Sequence, residues 1–144
     1  MPSAIKPSLS LALTLIISAF LLAEGVWGFY SPVVFGVLTT NRAHAIIHII
    51  LGLGGFIARW RGFAKGYFGF LGSLLVVIAV VWMIPATREV PRDLLNINGA
   101  VAAVNFLVGL ISLVVAFTEA SRRRFGTGNT TPPMSVSKTR RKVA

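Results

Sequence analysis

Four apolar segments, separated by short polar breaks, organise the chain. Each segment is close to the ~20 residues that a membrane-spanning helix needs. None shows the strict alternation of apolar and polar positions that is typical of membrane barrel strands, and a helix pairs its backbone groups internally in lipid. The pattern therefore predicts an all-α membrane protein with four transmembrane helices. The predicted spans are Ser8–Phe29, Asn41–Ala58, Tyr67–Ala86 and Asn96–Phe117.

Composition agrees with this class. The 144 residues are 55% hydrophobic and 12% charged, whereas soluble domains have about 25% charged residues. Cysteine is absent, which excludes disulfides and cysteine-based catalytic or metal sites. A net charge of +10 suggests the possibility of nucleic-acid binding. However, seven of the fourteen basic residues lie in the last 23 positions and the others at segment edges. That distribution is typical of membrane topology, so we expect the lipid bilayer as partner and no nucleic acid.

The distribution of basic residues also predicts orientation. Eleven Lys and Arg fall on the side of the two termini and three on the other, which places both termini in the cytoplasm of a bacterial inner (plasma) membrane. We expect the first span to be an uncleaved anchor, because Leu21 would stand where a cleavable signal prefers a small residue. Residues 1–118 are predicted to form the transmembrane domain and 119–144 a disordered basic cytoplasmic tail. The tail could contact anionic lipid headgroups or serve only as a topological flank.

An internal repeat links the second and fourth spans. "NRAHAIIHIILGL" from Asn41 and "NGAVAAVNFLVGL" from Asn98 share five of thirteen positions without a gap. Because an even number of spans separates them, the two segments would run in the same direction. The alignment therefore predicts two parallel two-helix repeats, an arrangement known in membrane proteins.

Helical geometry places the polar and small residues of each repeat on one face. At 100° per residue, positions +3, +7, +11 and +14 lie near the starting residue. Small residues let helices approach closely, and polar residues in lipid turn toward the bundle interior. We therefore expect both faces to point inward, with the two asparagines that begin them acting as N-caps. The first face holds Asn41, His44, His48, Gly52 and Gly55, and the second holds Asn98, Asn105, Gly109 and Ser112.

The pattern Asn-x-x-His-x-x-x-His-x-x-x-Gly, met here by Asn41, His44, His48 and Gly52, resembles that of a family of small bacterial membrane proteins catalogued as a domain of unknown function (number 4383). The resemblance covers about residues 25–117. The family's second motif is met here only by Asn98 and Gly109, and Asn105 stands in place of its histidine. The resemblance implies a four-helix membrane topology and no established activity.

Glu24 is the only acidic residue well inside a predicted span. At 1.5 Å per residue it lies roughly 7–8 Å from the end of its helix, between the roughly 4–5 Å of His44 and 10–11 Å of His48 measured from the same side. An unpaired carboxylate in lipid would be costly. We therefore expect Glu24 to hydrogen-bond one of these two histidines.

Four interpretations of this polar group remain open. It could be a clasp that fixes helix register, a metal site of His44, His48 and Glu24, a haem ligand set, or a proton or ion pathway. Since the chain has no phosphate-binding loop and no Ser-His-Asp set, we expect no enzyme and no cofactor. The leading hypothesis is a structural or accessory membrane protein that packs with itself or in a larger complex. The alternative is a proton-, ion- or metal-handling protein.

Overall fold

A computed structural model describes the backbone of residues 9–126 and the side chains of residues 9–118. The predictions that concern residues 1–8 and 127–144, including most of the basic tail and its lipid contacts, lie outside the described residues. Four of the five helices of the described range are long and apolar enough to cross a membrane. The elements are α1 (Leu9–Tyr30), β1 (Val33–Val34), β2 (Leu38–Thr39), α2 (Arg42–Trp60), α3 (Ala64–Met83), α4 (Glu89–Leu95) and α5 (Gly99–Gly126).

The helix boundaries differ from the predicted ones for identifiable reasons. Helix α3 ends at Met83, because Ile84 precedes Pro85 and takes an extended ψ of 118° instead of the helical conformation that the proline ring disfavours. The short helix α4 lies in the break between the third and fourth predicted spans and contains Pro91. That proline occupies the first turn, where a backbone N–H has no partner within the helix. Helix α5 continues eight residues beyond the predicted domain boundary at residue 118, through alanine, glutamate and arginine, which all favour helices.

A small hairpin joins α1 to α2 and was not predicted. Its strands β1 and β2 pair antiparallel, with Val33 opposite Thr39 and Val34 opposite Leu38. Phe35 and Gly36 form the turn with positive φ angles of 50° and 76°, the conformation of the turns that match strand twist. Together with α4 and the loops around it, the hairpin closes one end of the bundle, called here the hairpin end.

Two close helix pairs make up the bundle, α1 with α2 and α3 with α5. In each pair glycine brings two backbones into contact. A Cβ atom on Gly52 would lie 2.7 Å from the backbone nitrogen of Leu22, and one on Gly72 would lie 2.7 Å from the carbonyl oxygen of Gly109. Without a Cβ these helices approach closely and gain van der Waals contact.

Two apolar clusters fill the space between the pairs. The larger one joins all four long helices and includes Leu21, Leu51, Phe68 and Val115. The smaller one lies beneath the hairpin and packs Val34 and Leu38 on residues near the start of α5, among them Ile97 and Val101. Large apolar side chains on the outer helix faces, such as Ile50 and Leu107, are exposed, as expected for surfaces that meet lipid.

Two asparagines lock the hairpin end through reciprocal hydrogen bonds. As predicted, the side-chain oxygen of Asn41 caps α2 by accepting from the His44 backbone N–H at 2.9 Å, and that of Asn98 accepts from the Val101 N–H at 2.9 Å. The Asn41 amide donates to the Leu94 carbonyl at 2.9 Å, and the Asn98 amide donates to the Val37 carbonyl at 2.8 Å. Each accepting carbonyl stands four residues before the opposite asparagine, so each cap also holds the loop that enters the other helix.

Gly52→Ala should destabilise the bundle, because the added methyl group meets the backbone of α1 and the helices must separate. Overpacking of this kind costs about 1–3 kcal/mol. Gly66→Ala is the matched control, since a Cβ there meets nothing within 4 Å. Unfolding in detergent micelles, followed by circular dichroism, measures both. Equal stability of the two variants would contradict the close packing of α1 on α2.

Asn98→Asp should also destabilise the protein, although aspartate caps helices as well as asparagine does. The new oxygen faces the Val37 carbonyl and replaces a hydrogen bond with repulsion, at a cost of about 1–3 kcal/mol. Asn98→Ser keeps a capping oxygen without the repulsion and should lie between Asp and wild type. The same unfolding measurement applies, and an Asp variant as stable as wild type would show that the Val37 bond contributes nothing.

Candidate functional site

Glu24, His44 and His48 meet inside the bundle, and we call them the histidine cluster. All three are buried, with 3%, 2% and 3% of their surface exposed. His48 Nδ1 lies 3.1 Å from Glu24 Oε2, so the predicted proximity is found, whereas the predicted hydrogen bond is not formed by this oxygen. His44 Nε2 lies 3.1 Å from His48 Nε2, and the two rings stand at 82° with their centroids 4.3 Å apart.

Small residues on α1 bring the carboxylate to the histidines. A Cβ on Gly25 would lie 2.7 Å from the Ala45 carbonyl oxygen and from the Ile49 backbone nitrogen. Glycine at this position lets α1 lie directly on the stretch of α2 that carries both histidines. Glu24, the neighbouring residue of α1, then reaches His48 without leaving the buried side of its helix.

Both the backbone and the ring of His44 are held in place by polar contacts. Its backbone N–H donates to the Asn41 side chain, and its ring Nδ1 lies 3.0 Å from the Leu95 carbonyl oxygen at the end of α4. A carbonyl oxygen only accepts hydrogen bonds, so Nδ1 of His44 carries the hydrogen. The free acceptor of the neutral ring is therefore Nε2, the nitrogen that faces His48.

The carboxylate is incompletely satisfied. Glu24 Oε2 is buried and lies within ion-pair distance of His48 Nδ1, yet it has no hydrogen-bond partner of acceptable geometry among the described residues. The contact is thus electrostatic in the main. Buried anionic oxygens normally accept hydrogen bonds or meet a cation, so this oxygen marks the cluster as a place where positive charge is stabilised.

A cavity of about 30 Å³ lies beside the cluster. Both histidines line it, and so does Asn105 on α5, which is 3% exposed. The side-chain amide of Asn105 makes no hydrogen bond within the described part of the chain. The remaining walls are apolar and come from α2, from the end of α4 and the segment that leads into α5, and from Leu74, Leu75 and Ile78 on α3. The cavity has room for one water molecule or one ion.

The predicted inward faces are buried as expected. His44, His48, Gly52 and Gly55 are buried on α2, and Asn105, Gly109 and Ser112 on α5. Asn41 and Asn98 are half-buried at the helix starts. The structure brings Glu24, His44 and His48 together and places Asn105 on the wall of the cavity that the two histidines line. The glycines lie where helix backbones are in contact.

Two groups in this region were missed by sequence reasoning. The Leu95 carbonyl orients His44, and Asn96 donates to the Thr40 carbonyl at 2.9 Å. The φ of Asn96 is 53°, the left-handed conformation that commonly ends a helix. The asparagine after the leucine pair at 94 and 95 is the one sequence signal for such a helix end.

Comparison with known proteins leaves this site without a counterpart. The chain matches no protein-family model, and no curated protein or solved structure is significantly similar to it. The resemblance to the domain of unknown function noted above therefore stays a prediction. The chemistry of the site has to be argued from its own atoms, which are two imidazoles, one carboxylate and one amide. These atoms can hold a proton or a metal cation, or can bind the helices to one another.

His48→Leu should destabilise the protein more than the double variant Glu24→Leu/His48→Leu. The single change leaves the Glu24 carboxylate buried without the imidazole nearest to it. Breaking a buried pair on one side typically costs about 3–5 kcal/mol, whereas replacing both partners with apolar residues is often nearly neutral. The free energy of unfolding in detergent micelles measures both variants.

Ser112→Ala is the control, because this buried hydroxyl only bonds the Val108 carbonyl of its own helix at 2.8 Å. It should cost much less than His48→Leu. If the two leucine substitutions instead contributed independently, their costs in free energy of unfolding would add. That result would show that Glu24 and His48 do not stabilise each other.

Proposed function

We propose that this chain is a small multi-pass membrane protein with a structural or accessory role and no enzymatic chemistry. The main support for the proposal is that the polar side chains of the histidine cluster are buried and have little space beside them. The histidine cluster is buried between helices, and the cavity beside it holds about 30 Å³, whereas sites for small-molecule substrates usually hold 300–1,000 Å³. The cluster and the capping asparagines contact other helices and loops, which fits a role in holding the bundle together.

We further propose that the bundle is an internal repeat of two helix pairs, α1–α2 and α3–α5, related by a pseudo-two-fold axis along the membrane normal. The reciprocal bonds of Asn41 and Asn98 support this, because such an axis exchanges the two asparagines and the two accepting carbonyls. Gly52 and Gly109, aligned in the repeat, support it as well, since each lies against the backbone of the other helix in its pair.

The proposed location is the bacterial inner membrane with both termini in the cytoplasm. Arg59 at the end of α2, Arg61 in the turn and Lys65 at the start of α3 lie close together in the chain. The positive-inside rule assigns this end of the bundle to the cytoplasmic side together with the basic residues near the two termini. The hairpin end, with Arg42, Arg88 and Arg92, would then face outward. Exposed apolar faces on all four spans support contact with lipid, a second copy of the chain or a larger membrane complex.

A second candidate function is proton, ion or metal handling. It is favoured by the continuous contacts from Glu24 through His48 and His44 to the Leu95 carbonyl, with neighbouring atoms 3.0 to 3.1 Å apart. Chains of glutamate and histidine inside membranes often carry protons or ions.

Purified protein in liposomes separates the two functions. With a pH-sensitive dye or a Zn²⁺-sensitive dye inside, we expect flux equal to that of protein-free liposomes, because all three side chains of the histidine cluster are buried. Glu24→Gln liposomes are the matched control and should behave in the same way. Flux above the protein-free rate in wild type, lost in Glu24→Gln, would overturn the structural role and establish the second candidate.

A further inference from the structure

The hydrogen positions of the histidine cluster leave two nitrogen lone pairs facing each other. Nδ1 of His44 must carry its hydrogen, since its neighbour is the Leu95 carbonyl oxygen at 3.0 Å. Nδ1 of His48 lies 3.1 Å from the Glu24 carboxylate; the contact does not have hydrogen-bond geometry, but the negative charge at this distance favours a hydrogen over a lone pair on this nitrogen. A neutral imidazole carries only one such hydrogen. Both Nε2 atoms are then bare acceptors, and they lie 3.1 Å apart.

Two bare acceptors at this distance repel each other unless a cation lies between or beside them. Three features of the cluster point to such a cation. The Nε2 separation is close to the roughly 3.3 Å between two nitrogens of a tetrahedral metal site with bonds of about 2.0–2.1 Å. The Glu24 carboxylate supplies a buried negative charge whose Oε2 lacks a hydrogen-bond partner. One donor atom each from Glu24, His44 and His48 lies within 4.8 Å of the other two.

The outer contacts of the two rings are those of metal-binding histidines. Such histidines usually donate the hydrogen of their second ring nitrogen to a carboxylate or a backbone carbonyl, which fixes the tautomer and orients the ring. The Leu95 carbonyl is such a partner for Nδ1 of His44, and the Glu24 carboxylate lies at ion-pair distance from Nδ1 of His48.

Asn105 provides independent support for a cation beside the two histidines. It is a polar side chain more than nine-tenths buried, it lines the same cavity as the two histidines, and its amide makes no hydrogen bond to the described residues. An amide oxygen is a metal ligand of ordinary strength, and the cavity has room for an ion with a solvent ligand. Its position on α5 would connect the second helix pair to the site.

We propose that the cluster binds one divalent first-row transition-metal ion of the Zn²⁺ type. Nε2 of His44 and Nε2 of His48 are the direct ligands, four residues apart on α2, and the Asn105 amide is a third donor. Glu24 and the Leu95 carbonyl orient the two rings from outside, and Glu24 offsets part of the ionic charge. Imidazole ligands favour Zn²⁺, Co²⁺, Ni²⁺ or Cu²⁺ over Mg²⁺ and Ca²⁺, which prefer oxygen ligands. The site goes beyond the structural role, because an ion held there would cross-link the two helix pairs whether or not ions move through the protein.

Metal binding by the purified full chain in detergent tests the proposal. After chelation with EDTA and its removal, titration with Zn²⁺ should show one ion per chain, and Co²⁺ should produce visible absorption bands of a nitrogen-ligated site. His48→Gln should lower the affinity by more than tenfold because it removes a ligand. Glu24→Gln should lower it by about tenfold to a hundredfold, as losses of such orienting partners do.

Asn105→Asp tests the site through a gain of affinity, which misfolding of a variant cannot produce. It has the same shape as asparagine and offers an anionic oxygen, so it should raise the Zn²⁺ affinity at least tenfold. Ser112→Ala, on the same face of α5, should leave the affinity unchanged, and helix content measured by circular dichroism checks the fold of each variant.

Two outcomes would overturn the proposal. A folded wild-type protein that binds neither Zn²⁺ nor Co²⁺ would mean that a proton bridges the two imidazoles instead. Binding that is equal in wild type, His48→Gln and Asn105→Asp would place the ion elsewhere on the chain. Neither outcome depends on the liposome flux. The metal titration therefore tests the metal site, and the flux measurement tests the structural role, independently of each other.

Discussion

The structure depends on one constraint, which is that a polar group inside a bundle of helices apolar enough to cross a membrane must find its partner within the bundle. Lipid offers no hydrogen bonds, so every polar side chain placed on an inner face restricts how the helices can pack. Asn41 and Asn98 meet this constraint at the hairpin end, where each caps one helix and holds the loop before the other. His44 and His48 meet it one to two turns deeper, and Glu24 meets it only in part. Together the two groups connect α1, α2, the hairpin, α4 and the start of α5.

Close helix packing and polar pairing support each other. Glycines at positions 25 and 52 bring the backbones of α1 and α2 together, and only at that separation does Glu24 reach His48. In turn the buried carboxylate and imidazoles favour one register between the helices, because a shift of one residue would turn them away from each other. Apolar side chains alone give weaker specificity in lipid, where the surroundings are as apolar as the helix surface.

The four spans could be predicted from sequence because the length and hydropathy of a membrane helix are set by the bilayer. The inward faces could also be predicted, since helical geometry puts His44, His48 and Gly52 on one side. The hairpin and α4 could not. Strands of two residues leave almost no periodic signal, and Pro91 reads as a break although a first-turn proline is tolerated. The Leu95 carbonyl is invisible in a sequence, because any residue supplies the same backbone oxygen and only the fold brings it to His44.

The central claim is that the two imidazoles turn Nδ1 toward fixed acceptors and Nε2 toward each other. Nitrogen-15 NMR of histidine-labelled protein in lipid bilayers, with one equivalent of Zn²⁺, reads the protonation of each ring nitrogen directly. The account predicts that Nδ1 carries hydrogen in both His44 and His48, and that both Nε2 atoms are unprotonated and shifted by the metal. A protonated Nε2 on either histidine, or an unprotonated Nδ1 on His44, would contradict it.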